Sequence, residues 1–205
     1  GLSIDSEYSI KINSKELNNG LDRLIPQFKQ AGYVPQTLHL KPHHTVYNYA
    51  QVLFQYLPNN QQDTIITKYL KQFYLIKQKD TKVASLSGGE RQKLALLEAI
   101  SQPISYLVLD EPFSQLDTEQ KLEFASIIKE IIEIKNIPCL LISHDLSDVL
   151  KLSHSIGIIN QGKIILNGDI QKLVNSQNKT VINLKNALFH WHDSNHFIIE
   201  NLKKL

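Results

Sequence analysis

Two short apolar segments that flank a longer amphipathic one constrain the fold of this chain more than any other feature. Residues 104–109 and Cys139–Ile142 read as buried strands, and Thr118–Lys135 between them repeats its apolar residues at helical spacing. A strand, a helix and a strand in this order predict a βαβ unit with two parallel strands. Because a parallel sheet is normally covered by helices, the sequence predicts an α/β fold.

Chemically active side chains follow both predicted strands. Asp110 and Glu111 come directly after the first strand, and His144 comes two residues after the second. The carboxyl ends of parallel strands meet at one edge of a sheet, which is where open α/β folds bind their ligands. We therefore expect these three residues to be neighbours.

A second candidate group lies at the start of two predicted helices. Ser87 and Glu90 have the spacing of a capping box, so Ser87 is expected to cap the helix that begins at Gly88. Gly88 and Gly89 leave room for a ligand near the backbone, and the exposed amides of a helix N-terminus attract anions. Asp117 is expected to cap the next helix. Taken alone, a capping box is usually only structural.

In combination, these segments resemble the motifs of ATP-binding cassette (ABC) ATPases. LSGGERQ at residues 86–92 resembles the signature motif, YLVLDEPFSQLD at 106–117 the Walker B strand with its catalytic acid and D-loop, and LISHD at 141–145 the switch histidine. Gln36, in GYVPQ, resembles the Q-loop glutamine. The resemblance covers about residues 1–176. It implies a P-loop NTPase-like ABC ATPase core with a mostly parallel sheet, an antiparallel β edge and a helical subdomain.

The resemblance also implies a role for each candidate residue. Asp110 would hold Mg²⁺ through water, and Gln36 would touch the same ion and water. Glu111 would be the general base, and His144 would hydrogen-bond the γ-phosphate or the attacking water. The residues implied to contact ATP held by a second cassette, or to join the two half-sites, are Ser87, Gly88, Gly89, Glu90 and Asp117. ATP and Mg²⁺ are the implied cofactors.

One expected motif is missing from the sequence. No stretch matches G-x-x-x-x-G-K-[ST], the P-loop that cradles the β- and γ-phosphates. The sequence also contains no methionine. We therefore expect the chain to be N-terminally incomplete, with Gly1 as a truncation point, and to be inactive alone. A degenerate ATPase that has lost the P-loop is the alternative.

The domain organisation follows from these assignments. We assign residues 1–178 to the ATPase domain, within which residues 5–13 resemble a hairpin strand. Apolar residues at helical spacing over 45–57 and 60–75 predict a helical subdomain at about residues 40–85. A hairpin is predicted at 155–166 and a short helix at 169–176. The tail, 179–205, is interpreted as a small β-hairpin lobe with two strands between Thr180 and Leu205.

The resemblance favours a transporter subunit over two alternatives. The implied function is ATP hydrolysis that powers solute transport, with transmembrane permease subunits and a second cassette, identical or different, as partners. The chain would then be cytoplasmic and peripheral on the inner face of the membrane. A second class of ABC-type ATPase acts on nucleic acid or ribosomes, but 22 basic and 20 acidic residues are mixed without a basic stripe, so no nucleic acid is expected. The third hypothesis is a catalytically inactive regulatory module, since the P-loop is absent.

Overall fold

A computed structural model describes the backbone of residues 10–12 and 15–17 and the whole of residues 31–190, apart from the side chains of 187–190. The chain divides into two compact units, Gly1–Gln30 and Ala31–Leu205. In the first unit, β1 (Ile10–Ile12) pairs antiparallel with β2 (Lys15–Leu17). The predicted hairpin strand is confirmed at residues 10–12, and its remaining residues lie outside the described part.

The second unit contains a three-stranded parallel sheet. Its strands are β3 (Ala31–Val34), β4 (Tyr106–Asp110) and β5 (Cys139–Ile142), and β4 lies in the middle. Helix α4 (Thr118–Lys135) connects β4 to the parallel strand β5. The βαβ unit predicted from the sequence is therefore confirmed.

Four helical segments lie between β3 and α3. They are α1 (Val46–Leu53), α2 (Asn59–Gln72), and two 3₁₀ helices at Ile76–Gln78 and Val83–Ser85, before α3 (Gly88–Ile100). The hydroxyl of Thr45 accepts a hydrogen bond from the amide of Asn48 and so caps α1. The aromatic rings of Phe54 and Tyr69 stack with their centroids 5.1 Å apart, which joins α1 to α2. Both helices occur where helical spacing predicted them.

The two faces of the sheet differ sharply in burial. Leu107 and Leu109 of β4 are fully buried in a core to which α3 and α4 contribute, together with Val34 of β3. The opposite face carries exposed apolar side chains, namely Tyr33, Leu140 and Ile142. The alternation along the strands therefore separates a packed face from an open one.

A second, smaller core lies C-terminal to β5. Its buried side chains come from β6 (Ile156–Asn160), β7 (Lys163–Gly168), α6 (Ile170–Asn175) and α7 (Lys179–His190). Side chains of α5 (Leu146–Leu152) pack against them. The predicted hairpin is present, and its turn places Gln161 and Gly162 at positive φ values of 48° and 72°. In the described part of the chain, no helix has the length and apolar character needed to cross a bilayer.

Helix α7 contradicts the strand predicted from Thr180 onward. The side-chain oxygen of Asn178 accepts hydrogen bonds from the amides of Thr180 and Val181 at 3.0 and 3.4 Å, which starts a helix. The β-branched run from Thr180 to Ile182 favoured a strand, but a helix lets Val181 become fully buried in the second core. The rest of the predicted lobe, residues 191–205, lies outside the described residues.

The packing of β3 against α3 predicts a strong effect for Gly32→Ala. The added methyl group would lie 2.7 Å from the carbonyl oxygen of Ala99 and 2.8 Å from Cδ1 of Ile104, so the backbone would have to move. We expect a loss of about 2 kcal/mol in unfolding free energy, measured by urea denaturation. Gly157→Ala is the control, because a methyl group there has nothing within 4 Å. Equal stability of the two variants would contradict this packing.

Candidate functional site

The three parallel strands end at one edge of the sheet, and a candidate residue follows each of them. Asp110 ends β4 and pairs with Ile142 of β5. The amide of Glu111 donates to the carbonyl oxygen of Ile142 at 2.9 Å, so the pairing continues one residue beyond the strand. Gln36 lies two residues after β3 with an exposed side chain, and His144 lies two residues after β5. Backbone pairing thus places all four at the carboxyl edge.

Glu111 and His144 are in direct contact. Oε1 of Glu111 accepts a hydrogen bond from the backbone amide of His144 at 2.8 Å and lies 2.8 Å from Nδ1 of the same residue. The Glu111 side chain is 14% exposed, whereas that of His144 is 79% exposed. The hydrogen bond to Glu111 and its negative charge raise the pKa of His144, and Asp145 and Asp148 add to this effect. The pair thus joins a shielded carboxylate to a solvent-facing imidazole.

The backbone of Glu111 has an unusual conformation. Its φ of 50° lies in the left-handed region, which costs a non-glycine residue about 1 kcal/mol or more. This conformation turns the chain sharply after β4, and the amide of Ser114 donates to the Glu111 carbonyl oxygen at 3.3 Å. The turn allows the Glu111 side chain to reach across to the segment that follows β5.

Asp110 has a partner that the sequence interpretation missed. The hydroxyl of Tyr33 donates to Oδ2 of Asp110 at 3.2 Å. Burial raises the pKa of Tyr33, and the negative charge and hydrogen bond of Asp110 raise it further. Tyr33 pairs with Val108, so strand alternation puts it on the same face as Asp110, two residues on. Only the register between β3 and β4 could have revealed this contact.

The chemistry of these oxygen donors fits Mg²⁺. Asp110 and Gln36 would supply a carboxylate oxygen and an amide oxygen, both of which are hard ligands that Mg²⁺ accepts. Among the described residues, no cluster of three or more His, Cys, Asp or Glu side chains could hold a metal ion. Two protein oxygens would leave most of the coordination of such an ion to water and phosphate oxygens, which Mg²⁺ commonly binds.

The capping box predicted at the start of α3 is present. The amide of Glu90 donates to the Ser87 hydroxyl at 3.2 Å, and the amide of Ser87 donates to Oε2 of Glu90 at 2.8 Å. Gly89 is buried, and a methyl group added there would lie 3.2 Å from Oε1 of Gln120. A methyl group added to Gly88 would lie 3.4 Å from the carbonyl oxygen of Gln115. The glycines therefore allow the start of α3 to approach the loop before α4.

Asp117 caps α4 as its sequence context predicted. Its carboxylate accepts a hydrogen bond from the amide of Gln120 at 2.9 Å, and the side chain of Gln120 lies beside Gly89. The starts of α3 and α4 therefore form one group of candidate residues. Across the part of the chain that the structure describes, no hydrogen bond or ion pair links this group to Glu111 and His144. The candidate residues thus fall into two separate sets.

The charge of Glu111 should control the titration of His144. We expect Glu111→Gln to lower the pKa of His144 toward the ordinary histidine value, because the largest causes of its rise are lost. In the unmodified chain, the stability from the raised pKa of His144 is full just below the ordinary pKa of histidine and is lost as pH rises through the raised pKa. NMR titration of the His144 ring, assigned with His144→Gln, measures this change.

Glu119→Gln is the matched control for that titration. Glu119 is exposed in the first turn of α4, so its charge should leave the pKa of His144 unchanged. If Glu111→Gln and Glu119→Gln gave the same His144 titration curve, the pairing of Glu111 with His144 in solution would be refuted.

The chain is similar in sequence to known proteins. The sequence profile of the ABC transporter family matches residues 1–114. A molybdate/tungstate import ATP-binding protein, WtpC, from Methanocaldococcus jannaschii is 37% identical over 174 residues, covering 84% of this chain and 56% of that protein. A molybdenum import ATP-binding protein, ModC, from Paramagnetospirillum magneticum is 29% identical over 177 residues, covering 85% of this chain and 48% of that protein. The chain thus spans about half the length of these relatives.

A solved structure has the same fold. It is described as an inward-facing conformation of a metal-chelate type ABC transporter, and it aligns with a TM-score of 0.63 and 21% identity. The alignment covers 78% of this chain and 64% of that one. At this level of identity the likeness concerns the fold alone.

Proposed function

The chain belongs to the ABC transporter family, and on that premise we propose that it is part of an ATP-hydrolysing subunit that powers solute transport. The observation that carries the proposal is the contact between Glu111 and His144 at the carboxyl edge of the sheet, next to Asp110. Family membership makes ATP the substrate to test there.

We assign the roles at this edge from the position of each side chain. Glu111 is shielded from solvent and directly follows a buried strand, so it suits the general base that orients and deprotonates the attacking water. His144 faces solvent and suits a hydrogen bond to the γ-phosphate. Asp110 and Gln36 would hold Mg²⁺, which would offset the charge of the phosphates when bound.

The other set of candidate residues supports a site shared with a second cassette. The start of α3, at Ser87–Gly88–Gly89–Glu90, and the cap at Asp117 are joined to each other but not to Glu111 within the described residues. We propose that this set contacts ATP held by a second cassette, identical or different. A complete site also needs a P-loop, a motif that this sequence does not contain.

We further propose that the transported solute is a tetrahedral oxyanion such as molybdate and that it is imported. The support is the naming of two relatives as import proteins for molybdenum, molybdate or tungstate. Transmembrane permease subunits would carry the solute, and the chain would be cytoplasmic and peripheral on the inner face of the membrane. The residues described here would act on ATP and not on the oxyanion.

Glu111→Gln tests the ATPase assignment. In the transporter complex that contains this chain, we expect the variant to lower kcat for ATP hydrolysis by about a hundredfold or more, since the general base is lost. It should also trap an ATP-bound pair of cassettes. Glu119→Gln should leave turnover unchanged. Undiminished turnover by Glu111→Gln would refute the base assignment, and an unmodified complex without ATPase activity would support an inactive module instead.

Uptake measurements test the solute. Cells that produce the transporter should accumulate molybdenum, measured by mass spectrometry, and cells producing Glu111→Gln should not. Excess tungstate should compete with molybdate because the two oxyanions have the same charge and shape. Molybdenum uptake that is the same in both kinds of cells would refute the proposed solute.

A further inference from the structure

A lysine of α4 connects two acidic side chains of the segment that carries His144. Nζ of Lys121 lies 2.8 Å from Oδ2 of Asp148 and 3.3 Å from Oδ2 of Asp145. Lys151 approaches the other oxygen of Asp148 less closely, at 3.6 Å. Lys121 is therefore the main electrostatic link between α4 and this segment.

The burial of Asp148 makes this link strong. Its side chain is only 3% exposed, and a carboxylate at that depth requires a close positive charge. Within the described part of the chain, Oδ1 of Asp148 has no hydrogen-bond partner, so the bond from Lys121 to Oδ2 is the only hydrogen bond that this carboxylate accepts. Burial alone would lower the pKa of Lys121, but the bonds to Asp148 and Asp145 outweigh it and raise the pKa. Lys121 therefore stays protonated.

Asp145 extends the link to the residue beside it, His144. Oδ1 of Asp145 accepts the amide of Ser147 at 2.9 Å and caps α5, while its own amide donates to Oγ of Ser143 at 3.1 Å. Burial raises the pKa of Asp145, yet the hydrogen bonds from Ser147 and the bond and charge of Lys121 outweigh it and lower the pKa. The Asp145 side chain is therefore fixed on one side by α5 and on the other by Lys121.

Lys121 is also close in sequence and structure to Asp117. Its amide donates to the Asp117 carbonyl oxygen at 2.9 Å, within the first turn of α4. The same turn thus carries the cap at Asp117 and the lysine that holds the segment after β5. Lys121 thus connects the two sets of candidate residues, although no direct bond joins the cap to His144 within the described residues.

We propose that Lys121 is a positioning residue, which fixes residues 143–148 to the first turn of α4 and thereby keeps the His144 amide in hydrogen-bonding distance of Glu111. The catalytic meaning of this role rests on the proposed function. The geometric role does not, because it concerns the chain without ATP.

A purely structural role for Lys121, the neutralisation of buried Asp148, is the competing explanation. Lys121→Met leaves the carboxylate of Asp148 buried without its main partner and should lower stability as well. The double variant Lys121→Met with Asp148→Leu removes both charges and should recover stability, but it does not restore the bond to Asp145. Lys121→Arg keeps a positive charge. Lys129→Met is the matched control, because Lys129 is exposed on the same helix.

Amide hydrogen exchange at His144, followed by NMR on the whole chain, tests the proposal. We expect exchange to be roughly tenfold faster in Lys121→Met, because a charge-assisted hydrogen bond becomes transient. Lys121→Arg and Lys129→Met should exchange like the unmodified chain. In the double variant the unfolding temperature should recover, while the amide of His144 should still exchange fast.

Two results would overturn the proposal. One is unchanged His144 exchange in Lys121→Met, and the other is normal exchange in the stabilised double variant, which would show that Lys121 only neutralises Asp148. If Lys121→Met does not fold, the double variant and Lys121→Arg decide the question.

In the hydrolysing complex the double variant should lower kcat and leave KM for ATP unchanged. Absence of ATPase activity in the unmodified complex would refute the proposed function without altering the exchange result.

Discussion

The parallel pairing of β4 with β5 is the constraint on which the rest of the structure depends. It sets Asp110 opposite Ile142, and the bond from the Glu111 amide to Ile142 carries the register into the turn. A slip of one residue would exchange the two faces of β5 and carry the segment with His144 away from Glu111. The pairing therefore determines both which side chains are buried and which reach the edge.

The first turn of α4 has two neighbours at once. Gln120 lies beside Gly89 at the start of α3, whereas the next residue, Lys121, reaches Asp145 and Asp148 on the other side. Consecutive residues on a helix point about 100° apart, so a single turn can contact two different segments. The first turn of α4 consequently contacts both sets of candidate residues within the described chain: the start of α3 on one side and the segment that carries His144 on the other.

Local sequence patterns predicted most of the helices and strands, but they did not predict the contacts between distant segments. The bounds of α4 and β5 and the caps at Ser87 and Asp117 follow from spacing and capping chemistry, which act over a few residues. The strand predicted from Thr180 was wrong because burial of Val181 outweighed local β propensity. Helix α5 was not predicted, although the shorter helix α6 was. The bonds of Tyr33 and Lys121 depend on register and helix packing, which one sequence does not reveal, and the roles of the candidate residues stay predictions.

The left-handed backbone at Glu111 has a consequence for how this position can evolve. Glycine would relieve the strain there, and asparagine would tolerate it, but neither supplies a carboxylate in the same place. Under the role that we propose for Glu111, stability and chemistry select in opposite directions at this residue. In a lineage that no longer needed hydrolysis, this position should be among the first to drift, and it should drift toward glycine or asparagine before any β-branched residue.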